Sequence, residues 1–429
     1  MGQPFKPGVV LRQLRLIKGV GLRELARNIC CDPGHLSRME SGDRPLTVAF
    51  AQLADSFLAT GGVLSALVCA SYAGARCFGG QTEAPPGLLI VKVATPQGEI
   101  TVSIPRRDVL MALGIGAIGN PVLRGLNRVA VPPDTVEGLH KTLDSFVIAG
   151  RVMPPGSLVD PLTGRVAVIS AIRRKADARL DGQLAVMQAR FAEFLSWMHE
   201  ENGDLAQAIW WIDRADEWAQ AAGWAPMVAF ASVRKSVIAT MHAGDARRTL
   251  DLAQAALHTD GATPGVLRFA AAQVAYGHAL TGDLETARPA LDLAASYYEK
   301  AAAHPEDEPS IGARSVLEKD PVELNLATCN VFAGRGDPAI DVFAPRMEAV
   351  KGVSPRAWAV HGARLAHAYA LAGYPDETCH TIAEVLDTTE SIESATARSQ
   401  LRRIRPVLLR RWPNRTDARD TAQRLATLT

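Results

Sequence analysis

The chain has 429 residues, which at roughly one domain per 150 residues predicts two or three domains. Apolar residues make up 48% and charged residues 21%, an ordinary globular composition that excludes wholesale disorder. The formal net charge of +1 points to no nucleic-acid or membrane partner, but it is a sum of unequal parts: residues 1–60 carry 8 basic and 5 acidic groups, residues 61–394 carry 29 and 38, and residues 395–429 carry 9 and 2.

In chain order, Val10, Leu11, Leu14 and Ile17 fall on one face at helical spacing, and Gly19 and Gly21 end that helix. Leu22–Ile29 predicts a second, short helix with Leu22, Leu25, Ala26 and Ile29 turned inward. Cys30-Cys31 is the turn. Asp32 as N-cap and Pro33 at the first helical position open a third helix, with Leu36 and Met39 buried and a stop near Gly42. A fourth, TVAFAQLADSFLA, follows Pro45.

Two short helices joined by a tight turn inside a small bundle form a helix-turn-helix unit. The run GLRELARNICCDPGHLSRMESGDRPL, through Leu22, Leu25, Ala26, Leu36-Ser37-Arg38-Met39-Glu40 and Gly42, resembles the Cro/repressor-type (XRE-like) helix-turn-helix family over most of residues 9–60. The resemblance implies a DNA-binding domain, placed here at residues 1–75. The competing reading is a bundle of the same shape used for protein contacts. The resemblance further implies that the start of the third helix enters the major groove, bringing Pro33, Gly34, His35, Ser37 and Arg38 to DNA. Arg38 is either a base reader, through the bidentate match of guanidinium to guanine, or a phosphate contact. His35 is a phosphate contact or a weak base reader. Many members carry long amides at the first reading positions, where Pro33 and Gly34 offer no side-chain donor, so weight shifts to shape and phosphate contacts. Arg23, Arg27 and Arg44, with the free N–H groups opening the second helix, are phosphate candidates. Glu40 resembles the family's structural acid, which pairs within the domain.

Residues 76–130 read as a linker. GARCFGGQTEAPPG (74–87) is rich in Gly and Pro. LLIVKVATPQGEITVSIP then predicts a β-hairpin about Pro96-Gln97-Gly98. A lone hairpin is marginal in water, so it should pack on helices or pair with a second subunit. Gly114, Gly116 and Gly119 spell GxGxxG, but Asn120-Pro121 follows directly and no strand–helix alternation comes after. A helix packed through its glycines therefore accounts for them better than a dinucleotide site. Turn signals at 132–134 and 154–156 bracket the helix VEGLHKTLDSFVIAG.

Residues 131–429 read as one helical domain. Gly203-Asp204, Gly244-Asp245, Gly282-Asp283, Gly336-Asp337 and Gly373-Tyr374-Pro375-Asp376 separate helical runs at intervals of 41, 38, 54 and 37 residues. That is the scale of a helical-hairpin repeat. Ala208, Ile212 and Ala215, then Thr249, Ala253 and Ala256, then Ala287, Leu291 and Ala294 stand at matching offsets after the first three glycines. This resembles the second half of a tetratricopeptide repeat. The last two glycines fit less well, the spacings exceed the family's usual length, and residues 303–320 read as an insertion. Trp197, Trp210, Trp211, Trp218 and Trp224 are assigned to the core ahead of a ligand cleft. His199, His242, His278 and His361 recur as a repeat feature, not a metal site. Arg190, Arg234, Lys235, Arg268 and Arg364 are the candidate ligand contacts of a concave repeat surface. The basic tail, with Arg402, Arg403, Arg405, Arg410 and Arg411, either pairs with the acidic body or adds phosphate contacts.

The fold expected is thus mainly α: an N-terminal helix-turn-helix bundle, a short β-hairpin linker and a C-terminal α-solenoid. No apolar run approaches the ~18 residues of a membrane span, and the start of the chain lacks a secretory apolar core. Arg106-Arg107 copies a twin-arginine signal, but far inside the chain. Cys30, Cys31, Cys69, Cys77, Cys329 and Cys379 show neither CxxC nor zinc spacing. The expected location is cytoplasmic, with no cofactor, no metal and no catalytic constellation. The whole arrangement resembles the helix-turn-helix/tetratricopeptide regulators of Gram-positive and actinobacterial species. That resemblance implies a transcriptional regulator binding a double-stranded DNA operator as a homodimer, with a peptide or small-molecule effector. The alternative is a repeat scaffold for a protein partner, with DNA binding secondary or lost.

Overall fold

The computed structural model describes residues 6–73, 88–95, 98–105, 134–174, 176–307, 311, 321–351 and 354–428. Residues 74–87, most of the span read as a linker, the GxGxxG glycines, Arg106-Arg107, Cys77 and most of the 303–320 insertion lie outside them. The chain divides into two compact units, Met1–Met198 and His199–Thr429.

The first unit opens with five helices: α1 (Pro7–Ile17), α2 (Leu22–Asn28), α3 (Pro33–Glu40), α4 (Val48–Leu58) and α5 (Val63–Ala73). Val10, Leu11, Leu14, Leu25, Ala26, Ile29, Leu36 and Met39 are fully buried, as the helical spacing of these side chains requires. Ile17 and Leu22 depart from that pattern. Ile17 is 52% exposed and Leu22 half-buried, because each stands at a helix end where the chain turns across the bundle. Gly8 permits the closest approach: a Cβ there would lie 1.7 Å from the Met39 carbonyl oxygen, so only glycine lets α1 lie against α3.

Leu88–Thr95 and Gly98–Pro105 form two strands, β1 and β2, paired antiparallel from Leu88↔Pro105 to Thr95↔Gly98. Three helices follow, α6 (Thr135–Gly150), α7 (Gly156–Arg173) and α8 (Ala178–Glu201). The unit containing the bundle therefore extends well past residue 75. Helix α5 packs on α7 and α1 packs on α6. Gly61, at φ +66°, marks the junction: its carbonyl accepts a hydrogen bond from Arg165 Nη2 at 3.2 Å.

The second unit is a succession of helices: α9 (Leu205–Ala221), α10 (Ala225–Ile238), a π-turn (Ala239–Ala243), α11 (Ala246–Leu257), α12 (Pro264–Leu280), α13 (Leu284–Ala303), α14 (Pro321–Phe332), α15 (Asp337–Lys351), α16 (Pro355–Ala372), α17 (Pro375–Ile392), α18 (Ala395–Arg402), α19 (Arg405–Arg411) and α20 (Thr416–Ala426). From α9 to α17 each helix packs on the next, and α10, α12, α14 and α16 also pack on one another in turn.

The Gly-Asp pairs have a mechanical role. Gly203, Gly244 and Gly282 take φ of +86°, +64° and +84°, the left-handed turn that ends a helix. The aspartates that follow cap the next helix: Asp204, Asp245 and Asp283 accept from the backbone N–H of Gln207, Arg248 and Thr286 at 3.0, 2.9 and 3.0 Å. Gly336 differs, as a Cβ there would lie 2.3 Å from the Ala368 carbonyl oxygen. It serves close helix approach. The small residues at matching offsets, from Ala208 to Ala294, are all buried.

The C-terminal segment folds back into its own unit. Helix α18 packs on α16 and on the π-turn. Ser399 Oγ and Gln400 Nε2 donate to the Met241 carbonyl at 2.9 and 3.1 Å. Part of the basic tail is used inside this unit: Arg415 pairs with Asp376 and Asp417, and Arg402 donates to the Leu428 carbonyl. Arg405, Arg410 and Arg411 are exposed.

Candidate nucleic-acid interface

Helix α3 is held at both ends by local chemistry. At its start, Asp32 Oδ1 accepts from the His35 backbone N–H at 2.9 Å, and Pro33 supplies a preset φ where no N–H is needed. The turn before it places Cys30 at φ +51°, while the Cys31 N–H reaches back to the Ala26 carbonyl at 2.8 Å. Non-glycine residues adopt that conformation at a cost of roughly 1–2 kcal/mol, so the angle between α2 and α3 is imposed by the bundle.

The far end of α3 is fixed by a buried ion pair. Arg15 Nε and Nη2 donate to the two Glu40 oxygens at 2.7 Å each, and Arg15 Nη1 donates to the Val20 carbonyl at 3.0 Å. The Glu40 bond raises the Arg15 pKa despite burial. Glu40 thus pairs within the domain and faces away from solvent. Its partner Arg15 went unrecognised in the sequence, although its place beside Leu14 on the apolar face of α1 was the signal. A second buried carboxylate, Asp55 of α4, accepts from Leu64 N–H, Ser65 N–H, Ser65 Oγ and Thr60 Oγ1. It ties the end of α4 to the start of α5. Burial nevertheless raises its pKa.

With α3 anchored from behind, its other face is open. Arg38, Ser37 and Gly34 are exposed, while Pro33 and His35 are half-buried. His35 lies against Phe50, ring centres 5.7 Å apart. Arg38 lies back over the start of its helix, as long helical side chains do. A Cβ at residue 34 would stand 3.9 Å from Arg38 Nη1, an ordinary contact. Arg23 and Arg27 are exposed on α2 and Arg44 is exposed after α3. Among the described residues, Arg23, Arg27, Arg38 and Arg44 have no acidic partner within ion-pair distance. No side chain caps the opening N–H groups of α2, although Glu24 Oε2 accepts from the Gly21 N–H at 3.4 Å.

Residues 8–67 match the family model for a helix-turn-helix domain. No curated protein matches the chain. The helix-turn-helix domain is a DNA-binding module, and α2, the Cys30-Cys31 turn and α3 are its central elements. Among the described residues no helix is long and apolar enough to cross a membrane.

The candidate ligand contacts are dispersed. In the first unit Arg190 is buried, with Nη1 at 2.5 Å from His140 Nδ1. In the second unit, Arg234 is buried and paired with Glu200, which also meets His242 at 3.3 Å. Lys235 pairs with Asp213 at 2.6 Å. Arg268 sits over the rings of Phe269 and Tyr298, 4.1 and 5.7 Å from their centres. Arg364 is buried without a carboxylate partner among the described residues. Of the tryptophans, Trp211 is buried and meets Trp210 edge-on at 4.7 Å, while Trp197, Trp210, Trp218 and Trp224 are half-buried.

Proposed function

We propose that the protein is a cytoplasmic, sequence-specific transcriptional regulator. In this reading α3 of the helix-turn-helix domain lies in the major groove. Arg38 reads a base edge, Ser37 and His35 assist, and Arg23, Arg27 and Arg44 hold phosphates. The observation that carries it is the exposed Arg38 on a helix whose rear face is locked by Arg15–Glu40. A guanidinium held on a rigid element and unspent on protein carboxylates is suited to a guanine edge.

The second unit is the sensor in this proposal. Its helical hairpins are read as tetratricopeptide-like repeats, and the β1–β2 hairpin and α6–α8 stand between the helix-turn-helix helices and this sensor in the sequence. The protein acts as a homodimer, since two recognition helices one DNA turn apart read a two-fold operator. A peptide or small-molecule effector shifts operator affinity only through its unequal affinity for two states of the sensor.

Salt-dependent DNA binding by the full chain tests the regulator reading. The logarithm of affinity should fall linearly with the logarithm of salt concentration, by about 0.9 per phosphate neutralised. Binding insensitive to salt, or no binding at all, would remove DNA from the function and leave the protein-scaffold reading.

A further inference from the structure

Buried arginines in the second unit are normally matched. Arg234 meets Glu200, and Arg356 meets Glu201, which also accepts from Ser394 Oγ. Arg364 breaks this pattern. It is 8% exposed, and its contacts are weak and neutral: Nη1 with Thr328 Oγ1 at 3.4 Å and with His361 Nδ1 at 3.5 Å, and Nη2 with the Met241 sulfur at 3.4 Å. Its Nε is buried with no partner. The Nε–Nη2 edge, the side of a guanidinium that grips a carboxylate as a fork, thus meets only a thioether.

Among the described residues, none that touches it supplies a negative charge. Tyr276 and Cys329 are each pushed up to about 12, foremost by burial, so both stay neutral. His361 is held to about 3, by burial first and by the Arg364 charge second. A second cation stands close by. Arg403 Nη2 donates to the Met241 carbonyl at 3.3 Å and also to the Thr240 carbonyl, so Met241 touches both guanidinium groups. The Arg403 pKa is lowered to about 10 by burial and then by Arg364. The Glu200 and Glu201 carboxylates are committed to Arg234 and Arg356.

A desolvated cation without a counter-charge is costly, and proteins seldom retain one unless it serves a bound group. The point where both arginines converge is a π-turn, Ala239–Ala243, a helix irregularity that recurs at functional sites. We propose that Arg364 and Arg403 form an internal anion site at this π-turn, which takes the carboxylate or phosphate group of a small molecule. Arg364 grips two oxygens of that group through its fork, and Arg403 adds charge from the α18 side. The Thr328 and Tyr276 hydroxyls are spent on the Leu324 carbonyl and on Asn325 Oδ1, so the two guanidinium groups are what hold the anion. The anion ties α16, the π-turn and the residues after α18 together. That the bound molecule is an effector rests on the sensing role proposed above; that the anion binds does not.

The test uses the full chain without DNA, so its outcome is separate from that of the DNA-binding experiment. Thermal unfolding and titration calorimetry are run with sodium phosphate and with sodium acetate, each against sodium chloride at equal ionic strength. One of the two anions should raise Tm by about 5 °C at saturation, and the one that does identifies the group. Arg364→Met should abolish the response while melting no lower than the wild type without anion, since it removes an uncompensated buried charge. Arg364→Lys keeps the charge but loses the fork, and should bind roughly tenfold more weakly. It carries the test if the Met variant does not fold. The proposal is overturned if neither anion raises Tm, or if either folded variant responds as the wild type does.

Discussion

Arg15 and Glu40 join the first and third helices through two hydrogen bonds of 2.7 Å, with side chains only 9% and 4% exposed. Neither side chain lies on the open face of α3, yet both set where Arg38 stands. Glu40→Ala leaves a buried guanidinium unpaired and should cost about 3–5 kcal/mol. The double variant Arg15→Met/Glu40→Leu should recover most of that loss. Chemical denaturation of the full chain measures both, and operator binding should track stability. A Glu40→Ala protein of wild-type stability would contradict the anchoring role.

Arg38→Ala removes the exposed guanidinium from the face of α3. Operator affinity should fall by about 1–3 kcal/mol, with discrimination lost at one base pair. Measuring affinity across single-base operator variants separates the roles. Uniform weakening at every variant would make Arg38 a phosphate contact.

Two glycine substitutions should act with opposite sign. Gly8→Ala would place a Cβ 1.7 Å from the Met39 carbonyl oxygen, so α1 and α3 must separate, at a cost of several kcal/mol. Gly138→Ala on α6 meets nothing within 4 Å and should stabilise by about 0.4–1 kcal/mol. Melting curves of the two variants read the difference directly. A Gly8→Ala protein as stable as the wild type would refute the close contact.

The Glu200 carboxyl predicts an acid limb in stability. Burial works against its charge, but Arg234 first and His242 next outweigh that, and the pKa ends below the usual glutamate value. A depressed carboxylate stabilises fully above its unfolded pKa of ~4.3 and loses that contribution as the pH falls through the folded value. Glu200→Gln should therefore cost about 3 kcal/mol at neutral pH, and the gap should close below about pH 4. A gap that stays constant on acidification would show that the charge of Glu200 contributes nothing.

The local grammar of the chain was legible because it is written in neighbouring residues. Asp32 caps α3 and Pro33 opens it. Gly203-Asp204, Gly244-Asp245 and Gly282-Asp283 each end one helix and start the next, since a left-handed glycine and a capping carboxylate act within a few residues of where they stand. The inner face of the first three helices followed from 3.6-residue spacing, except at Ile17 and Leu22, where the helix ends and spacing no longer fixes direction. The candidate arginines Arg23, Arg27, Arg38 and Arg44 could be named from the sequence alone.

Which charge meets which was decided only by tertiary structure. Arg15 and Glu40 are 25 residues apart, Glu201 and Arg356 are 155 apart, and no spacing rule links partners at such distances. The packing of His35 against Phe50, 15 residues away, was likewise not readable from spacing. Arg364 was one of five candidate ligand contacts, with nothing in the sequence to set it apart from the other four. Burial without a carboxylate, beside a second arginine that returns from the C-terminal segment, is what sets it apart. The sequence by itself determined the helices, their caps and the DNA-reading module, because these depend on short-range sterics and hydrogen bonding. The pairing of buried charges depended on the packing of distant helices, because desolvation and Coulomb energy are set by what surrounds a group in space, not by its neighbours in the chain.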